Sequence, residues 1–188
     1  MTAELFNSYL ENLDTDAWRR LCVGRGELLR FGKGECFAAV GEVARYVGYV
    51  RSGTLKYVAY SDDGTPHVVG LEFAGEFVAD FPFSLRGRPA TVAIIADSPC
   101  EIHCVPVRTV VELMEADPAV NDLVMRSTEA LFGTVYERYM NLYRQTPRQR
   151  YNHLLNTHPD LFNLFSLKDI ASYLDITPTH LSRLRRKV

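Results

Sequence analysis

The spacing of apolar residues changes twice along this 188-residue chain. Leu5, Tyr9, Leu10, Leu13, Ala17 and Trp18 recur at helical intervals, so residues 1 to about 20 predict a short helical lead-in. From about Leu28 to Pro106 short strand-like runs appear, such as Glu27-Leu28-Leu29-Arg30-Phe31, Tyr46-Val47-Gly48-Tyr49-Val50, Thr54-Leu55-Lys56-Tyr57-Val58-Ala59-Tyr60 and His67-Val68-Val69-Gly70-Leu71. Turn signals separate them: Gly32-Lys33-Gly34, Arg51-Ser52-Gly53 and Asp62-Asp63-Gly64. Many short strands divided by glycine turns predict an antiparallel barrel or jelly roll. No β-α-β alternation occurs, which argues against a nucleotide-binding parallel sheet.

Helical spacing returns after Pro106. Arg108 to Ala116 predicts one short helix. Asp117 then offers an N-cap and Pro118 a first helical position, and Pro147 is the next strong breaker, with Gly133 between. A helix over Pro118 to Arg144 would be ~40 Å long. It carries two apolar stripes. One is Val120, Leu123, Val124, Leu131, Val135 and Leu142; the other is Met125, Phe132, Tyr136, Tyr139 and Tyr143. The pattern fits either one broad stripe buried inside a single subunit or two stripes with two packing partners, and a helix standing between two domains points to a dimer seam as the second partner.

Pro147 starts a further helix capped by Thr146, and His158-Pro159-Asp160 breaks it. Ser166 caps the next helix, Leu167 to Leu174, with Asp169 three positions on. Its Ile170, Ala171 and Leu174 share one face, and Ala171 is small where helices must cross closely. Asp175 sits in a turn where it tolerates positive φ, and Ile176 is expected in the core. Thr177 caps a last helix with Pro178 at its first position. Leu181 and Leu184 then point inward and leave Thr179, His180, Ser182, Arg183, Arg186 and Lys187 on the outer face. Two short capped helices with a tight turn and a basic outer face are a helix-turn-helix layout. Arg183 is the strongest base-reading candidate, because a guanidinium can grip guanine O6 and N7 together. Thr179 and His180 can reach bases or phosphates, while Arg185, Arg186 and Lys187 suit backbone phosphate.

Charge supports this division. From Arg144 to Val188 there are eight basic and three acidic residues, a net +5, which leaves −7 of the total −2 for the rest. An acidic body with a basic tail suits a polyanion partner. No run of 18 apolar residues exists to cross a membrane, and Met1 to Phe6 is neither basic nor continuously apolar, as a signal peptide would require. A cytoplasmic location with reduced thiols is expected. Cys100 and Cys104 fall on one face of a probable strand, while Cys22 and Cys36 stand alone, so all four read as small core hydrophobes and not as cluster ligands. His67 and His103 could serve as haem ligands, but a lone histidine on a strand reads as structural. Asp62-Asp63 reads as a hairpin turn and not a carboxylate dyad, and no catalytic or metal-binding motif occurs, so no enzyme is expected.

Taken in order, these elements resemble the CRP/FNR family of bacterial transcription regulators, over nearly the whole chain. Phe31-Gly32-Lys33-Gly34-Glu35 with Gly41-Glu42 looks like the opening of that family's cyclic-nucleotide-binding module. Gly75-Glu76 followed by Arg88-Pro89-Ala90-Thr91-Val92 lies where the module has its phosphate cassette, and Leu167 to Leu174 with Thr177 to Arg186 matches its DNA-reading helices. The resemblance implies an α+β chain: a sensor jelly roll over residues 1–116, a dimerisation helix over 117–145 and a helix-turn-helix domain over 146–188. It further implies a homodimer on double-stranded DNA, RNA polymerase as a partner, and an effector near Gly75, Glu76, Arg88, Ala90 and Thr91. The DNA candidates are Thr177, Thr179, His180, Ser182, Arg183, Arg186 and Lys187.

Four departures stand out. Pro89 replaces the small hydroxyl residue that follows the cassette arginine, removing a hydroxyl and a backbone donor, which argues against a cyclic nucleotide and leaves the effector unassigned. The long helix has Ser127, Thr128 and Thr134 near its middle but no obvious Thr-Ser pair for an adenine edge. Pro178 stands where relatives can carry a base-contacting arginine, and no β-wing follows the last helix, by nature or by truncation. These departures also motivate an alternative: a ligand-binding module that signals through protein partners with a degenerate tail.

Overall fold

The structure is a computed structural model and describes residues 15–186. It forms two compact units, which part within one long helix between Thr128 and Glu129.

The first unit opens with α1, Thr15–Arg25. The expected lead-in thus extends five residues further than its periodicity suggests, and its part before Thr15 lies outside the described residues. Eight strands follow: β1 Glu27–Phe31, β2 Cys36–Ala38, β3 Tyr46–Ser52, β4 Leu55–Tyr60, β5 Pro66–Glu72, β6 Phe77–Val78, β7 Ala93–Ala96 and β8 Cys100–Pro106. They make two four-stranded antiparallel sheets, in the orders β1-β8-β3-β6 and β2-β7-β4-β5. Strands far apart in the chain pair in both sheets. β1 lies against β8 with Glu27 opposite Cys104 and Phe31 opposite Cys100. This double-sheet pairing is the jelly-roll arrangement that the short alternating strands predict.

Alternation decides which side chains fill the space between the sheets. Cys100, Ile102 and Cys104 point inward from β8 and join Phe37, Val50, Leu55, Val78, Ile94 and Ala96. Burial pushes the Cys22 and Cys104 thiols up to about 12, and the Cys100 thiol up as well. Cys36 departs from its expected core place: it begins β2 with its side chain exposed. His67 is exposed on β5 and His103 half-buried on β8, in different sheets. Asp62-Asp63 is a turn: the Asp63 carboxylate accepts from the Ser61 hydroxyl at 2.7 Å and the Thr65 N–H at 3.0 Å, which holds it down to about 2.

Helix α2, Val107–Ala116, covers the barrel end, and α3 runs Pro118–Arg144 with the bounds that the breakers predict. The Asp117 carboxylate caps α3 by accepting from the Ala119 N–H at 2.9 Å. Trp18, fully buried, ties α1 and α3 to the barrel. Its indole stacks on Phe77 at 5.1 Å and 7°. Its Nε1 donates to the Ser127 hydroxyl at 2.8 Å, and that hydroxyl donates to the Leu123 carbonyl at 2.6 Å.

The second unit holds the remainder of α3, then α4 Pro147–Thr157, α5 Leu161–Leu164, α6 Leu167–Tyr173 and α7 Pro178–Arg185. Tyr151, Leu154, Leu161, Phe165, Ile170, Ala171, Leu174, Leu181 and Leu184 are its buried apolar residues. Ile176, expected inside, is half-buried. Along α3, Val124 and Ser127 are its buried residues, whereas Phe132, Val135, Tyr136, Tyr139 and Tyr143 are each more than half exposed.

Trp18 is the single tryptophan, so its fluorescence reports this joint. Native emission should be blue-shifted and resist iodide quenching. Trp18→Phe, which removes the indole donor and leaves a void, should cost about 1–3 kcal/mol in urea unfolding followed by circular dichroism. A red-shifted native spectrum would contradict the burial.

Candidate nucleic-acid interface and barrel site

Local chemistry builds the two-helix tail. The Ser166 hydroxyl accepts from the Asp169 N–H at 3.1 Å and donates to the Asp169 carboxylate at 2.6 Å, starting α6. Asp175 takes φ 54°, the left-handed conformation that ends α6. The Thr177 hydroxyl accepts from the His180 N–H at 3.2 Å, and Pro178 takes the first helical position of α7. Thr177 therefore serves as a cap, with its hydroxyl oxygen engaged by the helix it starts. Leu181 and Leu184 are buried, which turns the opposite face of α7 outward.

On that face Thr179, Arg183 and Arg186 are exposed, and His180 and Ser182 are half-buried. Lys187 lies outside the described residues. Arg148, which the sequence reading left out, joins them from the first turn of α4. It lines one cleft of about 630 Å³ with Thr177, Thr179, His180, Arg183, Leu184 and Arg186. Its Nη2 donates to the Leu184 carbonyl at 3.4 Å, which holds the guanidinium beside α7. Its place just after Thr146-Pro147 was the available signal, since a capped helix start fixes where its first turn points. Arg185 is drawn away from the cleft group: its guanidinium lies over the Phe162 ring at 4.7 Å. The cleft thus gathers three arginines, one histidine and two threonines, with no carboxylate among its lining residues. Such a surface can bind phosphate oxygens and present guanidinium donors to base edges.

The barrel cassette has a different character. Gly75 takes φ 94°, where a side chain would be strained, and its N–H donates to the Val50 carbonyl at 2.8 Å. Glu76 is buried, and its carboxylate accepts from the Phe73 N–H at 2.9 Å, bracing the turn. The N–H groups of Glu76, Arg88 and Ala90 donate to the carbonyls of Phe73, Phe83 and Glu42 at 3.2, 3.0 and 2.9 Å. Pro89 has no N–H. Arg88 and Thr91 are exposed and Ala90 is buried. Around these positions the buried charge is acidic. Glu72, Glu76 and Asp80 are all buried. The Tyr57 hydroxyl, which donates to the Ala79 carbonyl at 3.3 Å, is held well above its ordinary value by burial and by the nearby Glu72. On α3 the Ser127 and Thr128 hydroxyls are turned onto the Leu123 and Val124 carbonyls at 2.6 and 2.8 Å. A cyclic phosphate needs free N–H donors and positive charge. Here four cassette N–H groups are already bonded and the buried neighbours are carboxylates, so the exposed Arg88 supplies charge but the backbone donors a cyclic phosphate needs are engaged, a poor fit.

Comparison with known proteins finds likenesses to the barrel and to the fold of the chain. Residues 28–117 match the family "Cyclic nucleotide-binding domain". No curated protein matches the sequence. Among solved structures the chain is similar to FixK2 from Bradyrhizobium japonicum, with TM-score 0.72 and 20% identity over 86% of this chain and 83% of that one. It is also similar to CLP of Xanthomonas campestris, described as a c-di-GMP responsive global regulator, with TM-score 0.67 and 17% identity over 93% and 91%. A protein from Eubacterium rectale assigned to the crp/fnr family of transcriptional regulators gives TM-score 0.69 and 16% identity over 97% and 86%. At these identities the likeness is one of fold.

Asp80 offers a test of the acidic interior. Its Oδ2 and the Ser84 hydroxyl are buried without a hydrogen-bond partner, and burial raises the Asp80 carboxyl above its ordinary value. A carboxyl raised in the fold binds its proton more tightly there than in the unfolded chain, so it costs stability as pH climbs past its unfolded value near 4. Asp80→Asn should therefore raise the thermal midpoint by about 2–4 °C at pH 7, and the gain should shrink at pH 4. A gain equal at both pH values would contradict the burial argument.

Proposed function

We propose that this chain, which has the CRP/FNR fold with a cyclic-nucleotide-binding-type barrel, is a sequence-specific DNA-binding transcription regulator that acts as a homodimer and not as an enzyme. The observation that carries the proposal is the outer face of α7. Two intact caps and a buried Leu181-Leu184 back present Thr179, Arg183 and Arg186 together, with Arg148 added from α4. A degenerate tail would have no reason to keep both caps and the left-handed turn at Asp175. Base reading falls to Thr179, His180, Ser182 and Arg183, near the start and middle of the helix. Arg148, Arg186 and Lys187 hold phosphate, with Thr177 starting the helix.

The dimer forms along α3. Phe132, Tyr136, Tyr139 and Tyr143 stand exposed on one stripe, with Phe132 and Tyr143 69% and 73% accessible. Phe132 stacks on Tyr136 at 6.0 Å and Tyr139 meets Tyr143 edge-on at 5.2 Å, so the stripe is a contiguous apolar surface. Surfaces of this kind are covered in solution. A twofold axis there would give two reading helices for a palindrome whose half-sites lie about one turn of DNA apart. RNA polymerase is the expected protein partner and the cytoplasm the expected location. No helix among the described residues is long and apolar enough to cross a membrane. The barrel is the sensor, with an effector other than a cyclic phosphate or with none.

Fluorescence anisotropy against a palindrome library tests the reading. The wild-type protein should select a palindrome, and Arg183→Ala should weaken binding by about 1–3 kcal/mol while relaxing one base position. Lys187→Ala and Arg186→Ala should weaken all sequences alike and lower the salt slope by about 1 each. Absence of sequence-specific binding at low salt would sink the proposal and favour a module acting through proteins.

For the seam, Tyr136→Glu should turn the dimer into a monomer in light scattering and lower affinity for the palindrome more than for a half-site. A wild-type monomer at micromolar concentration would refute it.

A further inference from the structure

Two arginines outside the reading face converge on the elbow between α6 and α7. Helix α6 ends in a Schellman turn. The Ile176 N–H donates to the Ala171 carbonyl and the Asp175 N–H to the Ser172 carbonyl, each at 3.0 Å, around the left-handed Asp175. The Leu174 N–H returns to the Ile170 carbonyl at 3.0 Å. This pattern leaves the carbonyls of Tyr173 and Leu174 at the negative end of the helix dipole, where cationic donors are favoured. Each receives an arginine.

Arg138, on the C-terminal half of α3, donates Nη2 to the Tyr173 carbonyl at 2.7 Å, and its guanidinium lies over the Tyr173 ring at 4.3 Å. Arg150, on α4, donates Nε and Nη2 to the Leu174 carbonyl at 3.3 and 3.1 Å. Its Nη1 donates to the carbonyl of Gln145, the residue after α3, at 2.8 Å. The elbow is therefore tied to α3 directly through Arg138 and to the end of α3 through Arg150. Arg138 shares its helix with the Phe132, Tyr136, Tyr139 and Tyr143 stripe.

We propose that Arg138 and Arg150 are positioning residues that clamp the helix-turn-helix to the C-terminal half of α3, so that the seam of the dimer dictates the separation and angle of its two reading helices. This role rests on the DNA-reading dimer proposed above. Neither guanidinium needs to touch DNA. Arginine suits both places because its planar fork can bond one carbonyl twice, or bond and stack at once, as a lysine ammonium cannot.

The test uses the full-length protein with nitroxides attached by a non-cysteine chemistry at Glu137 and Lys168, both exposed and outside the proposed reading group. Arg138→Ala should at least double the width of the label-to-label distance distribution. Arg138→Lys, which keeps a charged donor but not the flat stack, should fall between. In anisotropy, Arg138→Ala should lose about ten-fold on a correctly spaced palindrome. It should keep wild-type affinity for a single half-site and stop discriminating against half-sites moved apart by one or two base pairs. Arg150→Lys should show the same pattern more weakly. An unchanged distance distribution overturns the proposal, as does an equal loss on half-site and palindrome, which would mark a local folding defect. A wild-type protein without specific DNA binding would instead overturn the proposed function, and the distance widths alone would then decide whether the clamp exists.

Discussion

A helix of 27 residues cannot be held by a small unit along its whole length, and the way this one is held organises both parts of the chain. Trp18 fixes its N-terminal half. The indole fills the space beside Phe77 and donates to Ser127, a hydroxyl with no exposure whose own proton goes back to Leu123. Burial without a partner would be costly for either polar group, so the pair specifies one register of α3 against α1 and the barrel. Beyond Thr128 the helix joins the second unit. There its apolar stripe faces outward, and its Arg138 reaches the elbow of the C-terminal helices. One helix thus carries a buried anchor in the first unit, and an uncovered stripe and a tie to the tail in the second.

In the tail, the arrangement of positive charge matters more than its amount. Arg150 caps a helix end and Arg185 stacks on Phe162, so neither adds to the group around α7. Arg148, Arg183 and Arg186 line one cleft. A count of basic residues makes the whole tail look like a binding surface, whereas only some of them share that cleft. The difference follows from helix ends: orphan carbonyls attract the nearest guanidinium, and those arginines become structural.

In the barrel the backbone turn and the polar chemistry are decided separately. Gly75 makes the left-handed turn and Glu76 sits buried beside it. The N–H donors of Gly75, Glu76, Arg88 and Ala90 are bonded within the fold, and Glu72, Glu76 and Asp80 lie buried in the same region. Shape is preserved by the pairing of the sheets, which depends on alternation and turn residues. Ligand choice depends on a handful of polar groups that the pairing does not constrain.

Much of this was legible in the sequence, because the features concerned are local. Breakers at Pro118 and Pro147 set the bounds of α3, and capping residues at Ser166 and Thr177 set the starts of α6 and α7. Asp175 announced its turn by the residue type it needs, and β1 appeared as a five-residue strand-like run. Strands β2, β6 and β7 went unread because three, two and four residues show no period, and they exist only through pairing, β6 with β3, β2 with β7, and β7 also with β4. Cys36 proved exposed because its position at the start of β2, and not its polarity, decides its place. The contacts of Trp18, Arg138 and Arg150 came from tertiary structure alone. Trp18 finds its hydrogen-bond partner 109 residues away, and Arg138 finds its carbonyl 35 residues away. By itself the sequence determined where elements begin and end, since caps, breakers and periods act within a few residues. Tertiary structure decided which polar groups remain available for a ligand, because that depends on pairings between residues the chain brings together only by folding.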